Sequence, residues 1–350
     1  MDVTHRYWVH VGDSCNLRCR FCYYIDSFGK RNDKTTSEIK KEIDFLKKKG
    51  INRLDFTGGE PTIRKDIFDL IKYAKENGFV EIGIITNGFL LNNMDFCKKL
   101  KEAGLNDTLF SIHSVNPETH DYLTQVKGSF DKLIQGIKNI QELGIQVRTN
   151  TTVTKKNYTE MPALAEFLKK LKVDRVNLIL FNPAEDAASH AKEYTEKYEL
   201  VSDYLKKAID ILKDNVRKIT IRYIPFCFMK SYEEFVCNQY QQIYDNYEAD
   251  NLFREYERNG FKVVAYHLAH GLPYYFNRLF GQSLKETLRQ ARVKATEKRA
   301  YIKNEECSKC SARNICEGLH KKYVELFGSS SLKAIEGKAL KNPLDFRRKK

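Results

Sequence analysis

Apolar residues follow two alternating rhythms through the first two thirds of the chain. Near-continuous apolar runs rich in Val, Ile, Phe and Thr occur at Tyr7–Gly12, Arg53–Thr57, Glu81–Thr86, Thr108–His113, Gln146–Val153, Arg175–Phe181 and Lys218–Ile224. Strands buried on both faces, as in a parallel sheet, read this way. Between them, apolar positions recur at helical spacing over Thr36–Lys49, Ile63–Asn77, Asn92–Ala103, Ser129–Leu143, Asn157–Leu171 and Tyr194–Asp214. Several of these segments end in glycine, such as Gly104, where a helix C-terminus accepts a left-handed residue. Regular strand–helix alternation predicts βαβ units and a parallel α/β sheet. Six units before residue 215 fit an open, partial barrel rather than a closed eightfold one. Such sheets carry their sites at the C-terminal ends of the strands.

After Pro225 the rhythm is lost. Cys227–Asn277 is rich in Tyr, Phe, Asn and Gln, and helices are expected over Leu284–Lys298 and near His320–Phe327. The expected organisation is a barrel over residues 1–224, a smaller domain over 225–328, and a polar, partly mobile basic tail over 329–350.

Composition sharpens this picture in two ways. With 42% hydrophobic and 30% charged residues among 350, a sizeable core is available and a disordered chain is excluded. No apolar run is long enough for a transmembrane helix, and MDVTHRYWVH lacks the layout of a signal peptide. A cytoplasmic, reducing location is therefore expected. Nine cysteines in such a setting point to metal rather than disulfides.

The cysteines cluster. Cys15, Cys19 and Cys22 follow the first strand within eight residues. Thiolates select soft centres, zinc or iron–sulfur. Structural zinc normally takes four protein ligands, and no fourth is close by, which suggests a cluster with one iron left for a non-protein ligand. After the second strand comes Thr57-Gly58-Gly59-Glu60-Pro61, glycines at a strand end where a backbone can approach a ligand. Asn87, Ser111 and Asn150 are polar residues at or near the ends of the third to fifth strands.

Cys-x3-Cys-x2-Cys with Phe21 before the last cysteine resembles the signature of the radical S-adenosylmethionine (SAM) superfamily. The resemblance implies a partial (β/α)6 TIM barrel and a [4Fe–4S] cluster on Cys15, Cys19 and Cys22. Its open iron would chelate SAM, which is cleaved reductively to a 5′-deoxyadenosyl radical that abstracts a substrate hydrogen atom. It further implies that Gly58, Gly59 and Glu60 recognise the methionine amino group. By the same resemblance Asn87, Ser111 and Asn150 contact ribose and carboxylate, and the Tyr23 backbone meets adenine. An external reductant of flavodoxin or ferredoxin type is implied as partner. One departure is visible: peptide-modifying relatives often carry an Arg-Gly pair before Gly-Ser-Phe, whereas Lys127 precedes Gly128-Ser129-Phe130 here. Lys does not reproduce a bidentate Arg fork.

Cys307-x2-Cys310-x5-Cys316 near the C-terminus also has metal-ligand spacing. It resembles the SPASM and twitch extensions of radical SAM enzymes, shortened, with His320 where a further cysteine would stand. The resemblance implies one auxiliary [4Fe–4S] cluster on Cys227, Cys307, Cys310 and Cys316, with Cys237 as the alternative fourth ligand. A zinc ribbon is the other reading of this region. Cys97 reads as a small buried hydrophobe on an amphipathic helix.

The net charge of +14 invites a nucleic-acid reading, but the basic residues are spread over helix faces, and no RNA-binding signature is present. Five of the fourteen charges lie in the tail, where residues 331–350 hold seven basic and two acidic side chains. The expectation is a radical SAM oxidoreductase or lyase-type enzyme acting on a small polar metabolite. Alternatives are a ribosomal-peptide maturase and an RNA-modifying enzyme.

Overall fold

A computed structural model of the chain describes residues 6–27, 33–245, 249–250 and 284–348. The chain divides into two compact units, Arg6–Arg222 and one containing Tyr223–Lys350.

In the first unit, seven strands lie side by side in chain order: β1 (Arg6–His10), β2 (Arg53–Thr57), β3 (Glu81–Thr86), β4 (Asp107–Ser111), β5 (Gln146–Val153), β6 (Arg175–Leu180) and β7 (Lys218–Arg222). Every neighbouring pair is parallel. The sheet curls into a half-barrel, the partial TIM barrel expected from the alternation. Its helices are α1 (Thr36–Lys48), α2 (Ile67–Glu76), α3 (Met94–Ala103), α4 (Pro117–Thr124), α5 (Ser129–Glu142), α6 (Met161–Lys170), the single turn α7 (Ala191–Tyr194) and α8 (Tyr198–Leu212). Each buries one apolar stripe, as Ile39, Ile43 and Leu46 do on α1. A full capping box, Thr35 with Glu38, starts α1. Gly104 ends α3 in the left-handed conformation that the sequence led us to expect.

The helix α4 is absent from the hydrophobic pattern. Its start is set by chemistry: the Asn116 side chain accepts from Glu118 N at 2.8 Å, and Pro117 occupies the first helical position.

A buried charge network fills the inner face near the strand N-termini. Arg6 Nη1 meets Asp55 Oδ1 at 2.7 Å, Arg148 Nη2 meets the same oxygen at 2.6 Å, and Arg148 Nε meets Asp107 Oδ1 at 2.8 Å. Arg6 also pairs with Glu81, and Arg175 reaches Glu81 at 3.5 Å. Room for this network comes from Gly83, where a Cβ would lie 2.1 Å from Asp55 Oδ1. The ions lie at the end opposite the loops that carry the candidate chemistry, so this network is structural.

The second unit contains the helix Leu284–Ala300, a two-stranded antiparallel pair, Tyr301–Ile302 with Leu319–His320, and the helix Lys321–Phe327. Much of the Tyr- and Phe-rich stretch before residue 284 lies outside the described residues. The tail, expected to be partly mobile, packs on this unit instead: Leu332 is buried, and Arg347 pairs with Asp245 at 2.6 Å. Among the described residues, no helix is long and apolar enough to cross a membrane.

Candidate metal centres

The first cysteine loop runs beside the Gly-Gly-Glu loop because the β1–β2 pairing continues past both strands. Val11 N donates to Thr57 O, Gly59 N to Gly12 O and Glu60 N to Ser14 O, each at 2.8 Å. This approach requires glycine. A Cβ on Gly58 would lie 2.2 Å from Gly12 O, and one on Gly59 would lie 2.0 Å from Ser14 O. Asp33 Oδ1 accepts from Asp13 N and Ser14 N at 2.9 and 3.0 Å, fixing the entry to the loop. Burial raises the Asp33 carboxyl, but its bonds to Ser14 and Asp13 and the nearby Arg64 outweigh that and hold it below the usual carboxylate range.

On its other side the loop is held by α4. Arg18 N donates to Thr124 O and Arg20 N to Leu123 O, at 3.2 and 2.9 Å. The Arg20 guanidinium lies 4.3 Å from the Tyr122 ring centroid. Phe21 packs with Leu123, Phe181, Ala187 and Tyr194, and Cys19 and Tyr23 lie against that group. The loop therefore has a rigid backing, which a cluster site needs.

Glu60 is buried, and its carboxylate accepts four hydrogen bonds within the protein. Oε1 accepts from Thr62 N (3.0 Å), Thr62 Oγ1 (2.6 Å) and Thr86 Oγ1 (2.7 Å), and Oε2 accepts from Asn87 N (2.7 Å). Burial raises its pKa against these bonds. Its side chain thus locks the end of β3 to the loop after β2. Asn87, positioned this way, donates through Nδ2 to Asn16 Oδ1 at 2.8 Å and to Cys15 Sγ at 3.9 Å. Leu17 N and Tyr24 N also point at cysteine sulfur, at 3.4 and 3.5 Å from Cys15 and Cys22.

The three thiols are neighbours. Burial pushes Cys15 up to about 11, opposed by the Leu17 N–H and reinforced by Glu60 and Cys22. Burial drives Cys19 well above the usual thiol value, and Cys22 and Cys15 add to it. Three thiolates so placed repel one another until a cation joins them, which is the chemistry of an iron–sulfur ligand set. The donors fit such a cluster: soft sulfurs, sulfur-directed N–H groups and no fourth protein ligand from the loop.

Ser111 and Asn150 sit in register on β4 and β5, with Asn177 next on β6 and Thr220 beyond it on β7. This polar row shares the inner face with Arg148, two residues along β5. Asn150 Oδ1 is buried and has no hydrogen-bond partner among the described residues. An orphaned acceptor on the inner wall suits a ligand that brings a donor. Asn177 and Thr220 were not singled out in the sequence; both lie mid-strand, and only the register with Asn150 brings them into the row. His113 was likewise not singled out. Its ring lies 4.6 Å from that of Phe21, and its Nδ1 accepts from Thr152 N at 3.2 Å. Burial, with His120 adding, keeps it well below the usual imidazole value, so it stands neutral beside the cysteine loop.

Lys127 is exposed. The adjacent Gly-Ser-Phe stretch is folded around Asp121, whose Oδ1 accepts from Ser129 Oγ at 2.8 Å and Phe130 N at 3.0 Å. Here that stretch is a helix start.

In the second unit, the turn Phe226–Met229 carries Cys227, and the turn Glu306–Lys309 carries Cys307 and leads into Cys310. Gly318, with φ +91°, lets the chain after Cys316 pass Ile302, whose carbonyl would be 2.4 Å from a Cβ. Mutual charge effects link Cys227 with Cys307, Cys310 and Cys316. Burial pushes Cys227 up to about 11 and raises Cys316 further. Cys237 is fully buried, its thiol donating to Asp245 Oδ2 at 3.6 Å. His320 Nδ1 accepts from Lys322 N at 3.2 Å and caps the helix that follows. Cys97 is buried and donates to Leu91 O at 3.1 Å. Four soft donors around one place fit an auxiliary cluster or a zinc ion. Among the described residues, no three Cys, His, Asp or Glu side chains are already arranged to hold a metal ion. The thiols of each group are neighbours rather than preset ligands.

Residues 9–168 match the family described as the radical SAM superfamily. An Fe-coproporphyrin III synthase of Methanosarcina barkeri is 35% identical over 212 residues, covering 60% of this chain and 51% of that protein. A probable GTP 3′,8-cyclase of Saccharolobus islandicus is 32% identical over 205 residues, covering 58% and 65%. The chain thus spans between half and two thirds of the length of these relatives. Among solved structures, the methylornithine synthase PylB superposes with a TM-score of 0.52 at 17% identity, covering 68% of this chain and 72% of that one. Streptococcus suis SuiB bound to its precursor peptide SuiA gives 0.50 at 21%, over 60% and 47%. Both likenesses concern the fold.

Proposed function

From the premise that this chain belongs, through residues 9–168, to the radical SAM superfamily, we propose that it is a SAM-cleaving enzyme acting on a small polar metabolite. Cys15, Cys19 and Cys22 hold a [4Fe–4S] cluster, which supplies the electron that cleaves SAM to methionine and a hydrogen-abstracting 5′-deoxyadenosyl radical. The observation that carries this reading is the placement of the cysteine loop against Gly58–Glu60 and Asn87, at the strand end where a parallel barrel keeps its site.

The residues take distinct parts. Gly58 and Gly59 bring backbone up to the methionine amino group, and Glu60 holds that backbone and Asn87 in place. Ser111 and Asn150 receive the ribose and carboxylate from the inner wall, and Asn150 Oδ1 is the free acceptor there. The Tyr23 backbone meets adenine. In the second unit, Cys227, Cys307, Cys310 and Cys316 would hold one auxiliary [4Fe–4S] cluster, which would supply an electron acceptor where the outcome is oxidation; a rearrangement would be redox-neutral and would not draw on it. A flavodoxin- or ferredoxin-type protein is the external reductant.

Two supports favour a small polar metabolite. The relatives named above carry the names of a porphyrin and of a nucleotide, and the chain is strongly basic. The test is deuterium transfer. Deuterated small anionic metabolites should pass label into 5′-deoxyadenosine, and unlabelled peptide should not compete. Label arriving only from a ribosomal peptide, or only from RNA, would replace this substrate class.

A further inference from the structure

We propose that the C-terminal segment 329–348 forms one wall of the auxiliary cluster site and sets that cluster's reduction potential through a backbone N–H group. The inference rests on the reading of Cys227, Cys307, Cys310 and Cys316 as cluster ligands.

The segment is fastened along its length. Asn304 Nδ2 donates to Ser329 O and Leu332 O at 2.9 and 3.1 Å, while Asn304 Oδ1 accepts from Cys307 N at 3.3 Å. One side chain therefore ties the start of the segment to a candidate ligand. Ser311, next to Cys310, is gripped twice: its N–H donates to Ile335 O and its carbonyl accepts from Leu340 N, both at 2.8 Å. Further on, Leu344 packs on Tyr240, Ile243, Tyr244 and Val293. Phe346 lies 4.9 Å from Phe226, the residue before Cys227. Arg347 closes the clasp on Asp245 at 2.6 Å and on Glu234 O at 3.2 Å.

Held this way, the segment aims a main-chain donor at sulfur: Ile335 N donates to Cys310 Sγ at 3.3 Å. The Lys333 N–H lies by Cys227 and opposes the burial that raises its thiol. Hydrogen bonds to cluster sulfurs stabilise the more negative, reduced state and raise the potential, and nearby positive charge acts in the same sense. The segment carries Lys333, Lys338, Lys341, Arg347 and Arg348 against Glu336 and Asp345. A segment that looks disposable by composition thereby acquires a reason for its sequence: apolar anchors at Leu332, Leu344 and Phe346, with lysines between them.

The test uses full-length, anaerobically reconstituted protein and redox titration followed by electron paramagnetic resonance. Ile335→Pro deletes one donor, and Ile335→Ala keeps it. The Pro variant should lower the auxiliary potential enough to change the reduced-to-oxidised ratio about tenfold, or ~59 mV for one electron. The Ala variant and the barrel cluster should not move. Hydrogen exchange on the wild type is the second readout, independent of any variant: cluster loading should protect the amides of Lys333 and Ile335. An unmoved auxiliary potential in a fully loaded Pro variant, or no gain in protection, overturns the inference while leaving the cluster assignment intact. A wild-type iron content of about four, one cubane only, overturns the auxiliary-cluster reading itself and this inference with it.

Discussion

Replacing Gly59 by alanine isolates the contact on which the first site depends. Gly59 has no left-handed backbone angle, so alanine adds no conformational strain there. Its Cβ would lie 2.0 Å from Ser14 O, 2.5 Å from Ser14 C and 2.7 Å from Asp13 C, all main-chain atoms of the cysteine loop. Ordinary contact begins near 3.4 Å. The loop must therefore retreat by about an ångström or more, breaking Gly59 N–Gly12 O and Glu60 N–Ser14 O. Two such bonds contribute about 1–3 kcal/mol together. Misplacing reacting groups by about 1 Å costs on the order of 100-fold in rate. Gly59→Ala should thus lower 5′-deoxyadenosine formation by about 100-fold, whereas a loss of about 2 kcal/mol lowers the melting temperature by only some 4–8 °C. Gly128→Ala is the control, because its Cβ meets nothing within 4 Å and only its positive φ is penalised. A Gly59→Ala protein with wild-type iron content and SAM cleavage would refute the claim that close approach of the two loops builds the site.

Three further outcomes follow from the structure. Arg148→Met leaves buried Asp55 and Asp107 short of a partner and should destabilise the barrel by about 3–5 kcal/mol in chemical denaturation; a loss under about 1 kcal/mol contradicts the network's role. Burial raises Asp107, but Arg148, Arg6 and Arg175 outweigh it and depress its pKa below 3.8. Its contribution is therefore fully present above pH 3.8 and is lost as pH falls through the depressed folded value, and Asp107→Asn should flatten the acid limb of a stability–pH curve. Cys227→Ser should halve the iron content of the reconstituted protein, whereas Cys237→Ser should retain it; the reverse pattern would move the fourth ligand to Cys237.

The strands were legible because a strand buried on both faces leaves a contiguous apolar run, as Glu81–Thr86 does. Helix α4 was not, because Asn116 and Pro117 set its start while few apolar residues mark its length. The cysteine spacings exposed both candidate centres, since a loop of eight residues can bring its own thiols together. Spacing does not choose between Cys227 and Cys237, and the contact of the Cys237 thiol with Asp245 was not visible in it. The bonded carboxylate of Glu60 was equally hidden, because Thr86 becomes its partner only once β2 and β3 align. The ring of ions around Arg148 reads in sequence as scattered polar residues, and only the register of β1 to β6 shows that they share one face. The tail misled for a related reason: its composition is polar, and three apolar anchors are too few to register as a pattern.

The most direct test of the account is to reduce the anaerobically reconstituted protein with SAM and count 5′-deoxyadenosine alongside iron, for wild type and Cys15→Ala. The account predicts about eight irons and steady 5′-deoxyadenosine formation for wild type, falling to about four irons and no product for the variant. Zinc in place of iron in the wild type, with no 5′-deoxyadenosine formed, would contradict it.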